Sequence, residues 1–181
     1  MSGSQPDSNN DMMARSPRKS LDTREKRKRF LKIHVNHRSW KDTPFVSFTS
    51  CHRELQKVAN LRYKRPGRGS QTITVVDPRV RMRCSLPLLN IESEMEFYGV
   101  ENPYANVDHS DHYLCLWEVR DSEIVGHWDW EDLKDNPNWH EDTIMPAVQQ
   151  FRERAQMEHS AEAFDMSGLL DSIDSEHFQL L

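Results

Sequence analysis

The chain has 181 residues, of which 36% are hydrophobic and 29% charged, with a formal net charge of −5. That is lean in core formers, so the packing residues are expected to be concentrated in part of the chain. No apolar run approaches the roughly 18–20 residues that span a bilayer, and 3 widely spaced cysteines without a C-x-x-C pair exclude a secreted disulfide framework.

Residues 1–20 are rich in Ser, Asn, Asp and Pro, lack the apolar stretch of a secretory leader, and read as a disordered tail. Ser16 before Pro17 is a phosphorylation candidate within it. Basic residues crowd the N-terminal third, and Lys26 to Arg29 form a run of the kind used for nuclear import or phosphate contact. The chain after Glu118 is acidic. Asp22 or Thr23 caps a helix carrying Phe30, Leu31 and Ile33. Pro44 then disfavours helical geometry at Thr43.

FVSFTS alternates as a strand, with Phe45, Ser47 and Thr49 on one face and Val46, Phe48 and Ser50 on the other. CHRELQKVANL predicts a helix with Leu55, Val58, Ala59 and Leu61 at helical spacing. Cys51 beside His52 reads as a small residue at the strand–helix junction, since neighbours at a helix start point in different directions and make a poor thiol–base pair. KRPGRGS is a loop, and QTITVVD is a β-branched strand that Pro78 ends. Periodicity leaves Arg79 to Val107 ambiguous, with room for a short helix within SLPLLNIESEMEFYGV, and ENPYANVDHSD is a loop. HYLCLWEV and IVGHWDW read as strands joined by the turn RDSE, a hairpin-like pair. A helix follows Pro146. The tail SAEAFDMSGLLDSIDSEHFQLL mixes acids with Phe, Leu and Ile, as do segments that fold into a protein partner's groove.

The layout is then a tail over 1–20, a domain over 21–135, a helix over 136–160 and an acidic–hydrophobic tail over 161–181. Strands with helices at their edges predict an α+β domain with a small mixed or antiparallel sheet and flanking helices. The composition points to an intracellular protein, nuclear if Lys26 to Arg29 act in import. No membrane partner is expected. No aromatics interleave the basic run, which argues against sequence-specific nucleic-acid readout.

PFVSFTSCHRELQKVANL, TITVVD and HYLCLWEVRDSEIVGHWDW, in this order, resemble an uncharacterised fungal domain family of unknown function. The same order is similar to the catalytic fragment of the cholera-toxin-like mono-ADP-ribosyltransferases. There an Arg strand precedes a Ser-Thr-Ser strand backed by a helix, and a Glu-x-Glu element comes later. The resemblance spans roughly Ile33 to Trp130 and implies an ADP-ribosyltransferase-like fold. That chemistry needs an acid to steady an oxocarbenium-like sugar and activate the acceptor, and an Arg fork to hold the dinucleotide phosphates.

On this match Ser47 and Thr49 take the serine strand, with Phe48 where the family has Thr. The Glu-x-Glu position falls at Ser110-Asp111-His112, and Asp108 and Asp111 are the nearest acids. Arg38, in NHRSW, is the candidate for the phosphates. The missing glutamates imply a domain that has lost catalysis and acts as an interaction or scaffold module, needing no cofactor. The alternative is a diverged mono-ADP-ribosyltransferase using NAD, with Asp108 or Asp111 as the acid.

His34 with His37, and His109 with His112, stand at H-x-x-H spacing. Neither pair has an evident third ligand, so no metal is expected. Trp117, Trp128 and Trp130 cluster on strands, where core packing is the ordinary role and the lining of a cleft the alternative.

Overall fold

The computed structural model describes residues 11–65, 67, 69, 71–104 and 107–157, in two units that divide after Asp135. In the first, the chain opens on a short strand, β1 (Met12–Met13). Next comes α1 (Arg24–His34), started by Thr23, whose Oγ1 accepts the Lys26 N–H at 3.2 Å. Leu31 and Val35, one turn apart, bury its inner face. β2 (Phe45–Thr49) and α2 (His52–Tyr63) follow. Only Ala59 of α2 is buried; Val58 and Leu61, expected on its inner stripe, are 42% and 56% exposed.

β3 (Thr72–Val76) leads to Asp77, which caps α3 (Pro78–Arg83) by accepting the Arg79 N–H at 3.0 Å. Pro78 therefore starts a helix as well as ending a strand, because the first helical position needs no N–H. β4 (Leu88–Asn90) and α4 (Ile91–Tyr98) fill the stretch that periodicity left ambiguous. Asn90 caps α4 through the Ser93 N–H, and Gly99, at φ 58°, ends it in the left-handed region. Then come β5 (His112–Leu116), β6 (Glu118–Val119), a 3-10 turn (Asp121–Glu123), β7 (Ile124–Asp129) and α5 (Trp130–Leu133).

The strands make three small antiparallel sheets among the described residues: β2-β5-β4, β3-β7 and β1-β6. This is the expected α+β architecture, with two corrections. The strands around RDSE do not form a hairpin. β5 lies between β2 and β4, while β7 pairs with β3. The break is Trp117, at φ 62°, held there by its N–H on the Pro44 carbonyl and its own carbonyl on the Ala14 N–H, both at 2.7 Å. The second correction concerns the leading tail. Its residues 11–20 carry β1 on β6 and the buried Ala14, so the domain reaches further back than residue 21.

One face of the β2-β5-β4 sheet packs Phe45, Leu114 and Leu116 against α1 and against Ile91, Met95 and Tyr98 of α4. The other packs Val46, Phe48 and Cys115 with Val119, Ile124 and Val76. In β7, a Cβ on Gly126 would stand 2.8 Å from the Trp128 ring. Gly126→Ala is therefore expected to cost about 1 kcal/mol, measured by urea unfolding. The cost should largely vanish in a Trp128→Leu background.

The second unit is described as far as residue 157 and is helical from Trp139. A π-helical turn, His140–Ile144, runs into α6 over 145–157. The helix thus begins before Pro146. The widened turn just ahead of the proline absorbs a ring that cannot donate to the regular ladder. The acidic–hydrophobic tail over 161–181 lies outside the described residues. No helix among the described residues is long and apolar enough to cross a membrane.

Candidate functional site

β2 buries Phe45 and emerges two residues later with Ser47 exposed on the same face. α1 ends above it. His34, three residues after the buried Leu31, comes off the inner side of the helix and meets Ser47 Oγ through Nε2 at 2.5 Å. Its Nδ1 lies 2.6 Å from Oγ1 of the buried Thr43. One hydroxyl donates to the ring and the other accepts from it, whichever tautomer is present. Burial lowers the His34 pKa to about 4, with the positive charges of His37 and Arg15 adding to the effect. The ring is neutral at physiological pH, which is the form that can serve both hydroxyls.

Arg15 owes its position to the strand before it. Ala14 donates to Trp117, and Ser16 donates to the Thr43 carbonyl at 3.2 Å, so the residue between them is anchored on both sides beside His34. Its place was not legible because the segment carrying it has a tail-like composition. His34 left a signal: it stands on the apolar side of α1, between Leu31 and Val35.

Further along the face, Thr49 pairs with His112 across β2 and β5. Thr49 Oγ1 accepts the Cys51 N–H and so turns the chain into α2. His112 Nδ1 and His109 Nδ1 are 3.3 Å apart, one donating to the other. His109 is buried, and its Nε2 finds no hydrogen-bond partner among the described residues. His37 stacks on Tyr104 with ring centroids 5.2 Å apart and stands edge-on to His109. Tyr104 donates to Asn36 Oδ1 and accepts the Arg38 N–H, both at 3.2 Å. Loss of water, and after it the charge of His112, lower the pKa of both His37 and His109. The four rings form a ledge running from Ser47 to the loop before β5. Among the described residues, no group of three or more His, Cys, Asp or Glu is arranged to hold a metal.

The ledge thus joins Ser47, Thr49, His37, His109 and His112 and leaves Asp108, Asp111 and the Arg38 side chain outside. Asp111 turns to Ser50, past the end of the serine strand, accepting from its hydroxyl at 3.3 Å. Asp108 accepts the Ser110 N–H at 2.9 Å, and that bond holds its pKa below the ordinary carboxylate range. Arg38 is exposed and touches the ledge through its backbone N–H.

Cys51 is half-buried, and all three cysteines are free. Burial pushes the Cys115 thiol up to about 11, a thiol with almost no nucleophilic form. Trp130 is fully buried, its indole N–H on Asn60 Oδ1 at 3.3 Å, whereas Trp128 is half-buried and Trp117 partly exposed. The basic run sits on a folded helix. Lys26 pairs with Asp22 at 2.7 Å, Arg27 donates to the Leu21 carbonyl, and Arg29 lies over the Phe30 ring.

A family model described as a domain of unknown function (DUF7587) matches residues 3–133. No curated protein and no solved structure matches the chain.

Proposed function

From the premise that the chain belongs to the family described as a domain of unknown function (DUF7587), we propose an ADP-ribosyltransferase-like domain that has lost transfer chemistry and serves as an interaction module. Support for the fold comes from the Phe45–Thr49 and His112–Leu116 strands being neighbours in one antiparallel sheet, with Arg15 anchored beside them. One observation carries the loss of chemistry: where the acidic pair would stand, the face opposite Thr49 presents His112, while Asp111 is occupied at Ser50. A neutral imidazole can move a proton but supplies no negative charge to an oxocarbenium-like sugar. Within this reading the tail over 161–181 would bind a protein partner, and Lys26 to Arg29 would act in nuclear import.

The expected result is no NAD hydrolysis, no ADP-ribosyl transfer and no change in melting temperature on adding NAD. The runner-up, a diverged mono-ADP-ribosyltransferase, draws on one observation, the His34–Ser47 pair with the Arg15 charge acting on His34. A ligand that binds only the folded state stabilises it by about 2.7 kcal/mol at a hundred times its dissociation constant. A clear NAD-dependent rise, abolished by Arg15→Ala and Ser47→Ala, would overturn the interaction reading in favour of the enzyme.

A further inference from the structure

On the sheet face that carries Ser47, but around its Phe45 end, α1, α4 and the strands surround a cavity of about 530 Å3. Its walls are mostly apolar and include Leu31, Phe45, Leu114 and Tyr98. Three charged residues interrupt them, Asp22, Arg27 and Glu94, of which Asp22 is already paired with Lys26. Arg27 donates Nε–H to the Leu21 carbonyl at 2.5 Å, and its two terminal nitrogens make no hydrogen bond to a described residue. Glu94 is half-buried and makes none either. Loss of water raises its pKa, and the Arg27 charge offsets only part of that.

Glu94, a charge without a bond in partly dry surroundings, is costly to hold unless something completes it, whereas Arg27 is exposed and keeps its terminal nitrogens free to take up a ligand. The rim adds a second irregularity. Trp117, at φ 62°, lines the cavity mouth, with its indole N–H on the Lys19 carbonyl at 3.0 Å. A bulky residue held there costs on the order of 1–3 kcal/mol, and such strain gathers at ligand clamps.

We propose that this cavity binds a small zwitterion with an apolar body, of the aromatic amino-acid class, its carboxylate on Arg27, its ammonium on Glu94 and its ring among Leu31, Phe45 and Leu114. Small-molecule sites are typically about 300–1,000 Å3, mostly apolar, with a few polar groups that fix orientation. A guanidinium fork suits a carboxylate, and a carboxylate suits an ammonium group. An anion alone would face the Glu94 charge, and a cation alone the Arg27 charge. The site shares no side chain with the His34–Ser47 pair or the ledge of rings, so the two ideas stand or fall separately.

Titration of the full chain with L-phenylalanine, followed by melting temperature and tryptophan fluorescence, is expected to show saturable stabilisation. 3-Phenylpropionate lacks the ammonium group and phenethylamine lacks the carboxylate. Each is expected to bind at least about tenfold more weakly, the loss of one charge-assisted hydrogen bond. Glu94→Gln and Arg27→Gln are expected to weaken L-phenylalanine by the same factor. Glu94→Gln keeps the test decisive if losing the Leu21 contact unfolds the Arg27 variant. No response to L-phenylalanine, equal affinity for all three compounds, or unchanged affinity in Glu94→Gln would overturn the assignment.

Discussion

Glu123→Ala is expected to cost about 3–5 kcal/mol of unfolding free energy, enough to leave a small domain largely unfolded at moderate urea concentrations. Glu123 and Arg81 are both buried, and the Arg81 Nη1–Glu123 Oε2 distance is 2.8 Å. The pair does more than neutralise itself. Arg81 also donates to the Pro87 carbonyl at 2.8 Å and the Glu118 carbonyl at 3.2 Å. Glu123 accepts the Arg120 N–H, and its backbone carbonyl accepts the Asp77 N–H at 2.9 Å.

The pair therefore ties together α3, the approach to β4, β6 and the 3-10 turn. Removing the carboxylate leaves a guanidinium in the dry interior, and that uncompensated charge is the source of the cost. Replacing both partners, as Arg81→Met with Glu123→Leu, is expected to recover much of the loss, because two apolar side chains leave no charge behind. Urea midpoints for the single and double variants test the point. A loss under about 1 kcal/mol in Glu123→Ala would mean that water reaches Arg81.

Acidification is expected to destabilise the domain between about pH 6.5 and pH 4, with His34 as the main cause. Its pKa falls from 6.5 to about 4 on folding. The folded state therefore binds fewer protons than the unfolded state in that window, and stability rises with pH. The contribution is complete above the unfolded value and is lost as pH falls towards the folded one. Two and a half pKa units correspond to roughly 3 kcal/mol. His37 and His109, lowered for related reasons, act in the same direction. His34→Gln is expected to be less stable at pH 7, where it loses the Ser47 and Thr43 contacts, and to show a flatter dependence below pH 6.5. Equal slopes for the two proteins between pH 4 and 6.5 would remove His34 from this role.

Much of the local structure was legible in the residues. Alternation marked β2, a cap at Asp22 or Thr23 marked the start of α1, and β-branched density marked β3, all because local sterics and capping favour one backbone state. The ledge was legible only in part. Ser47, Thr49 and the missing acids could be read from the order of motifs. Arg15 could not, because a two-residue strand has no periodicity and gains its pairing only when Glu118 and Val119 arrive from more than a hundred residues away. The hairpin expectation failed for a related reason. Nothing local in HYLCLWEV signals that Trp117 adopts φ 62°; the Pro44 carbonyl and the Ala14 N–H impose it.

The amino-acid sequence by itself determined the α+β class, the helix or strand identity of α1, β2, α2, β3, β5 and β7, and the absence of glutamates at Ser110-Asp111-His112. Each follows from side-chain chemistry or short-range backbone preference. Tertiary structure alone decided the strand partners, the meeting of His34 and Ser47, and the placing of Arg27 and Glu94 in one cavity. Those depend on which distant segments come together, where hydrogen-bond pairing and burial outweigh anything a short window of residues contains.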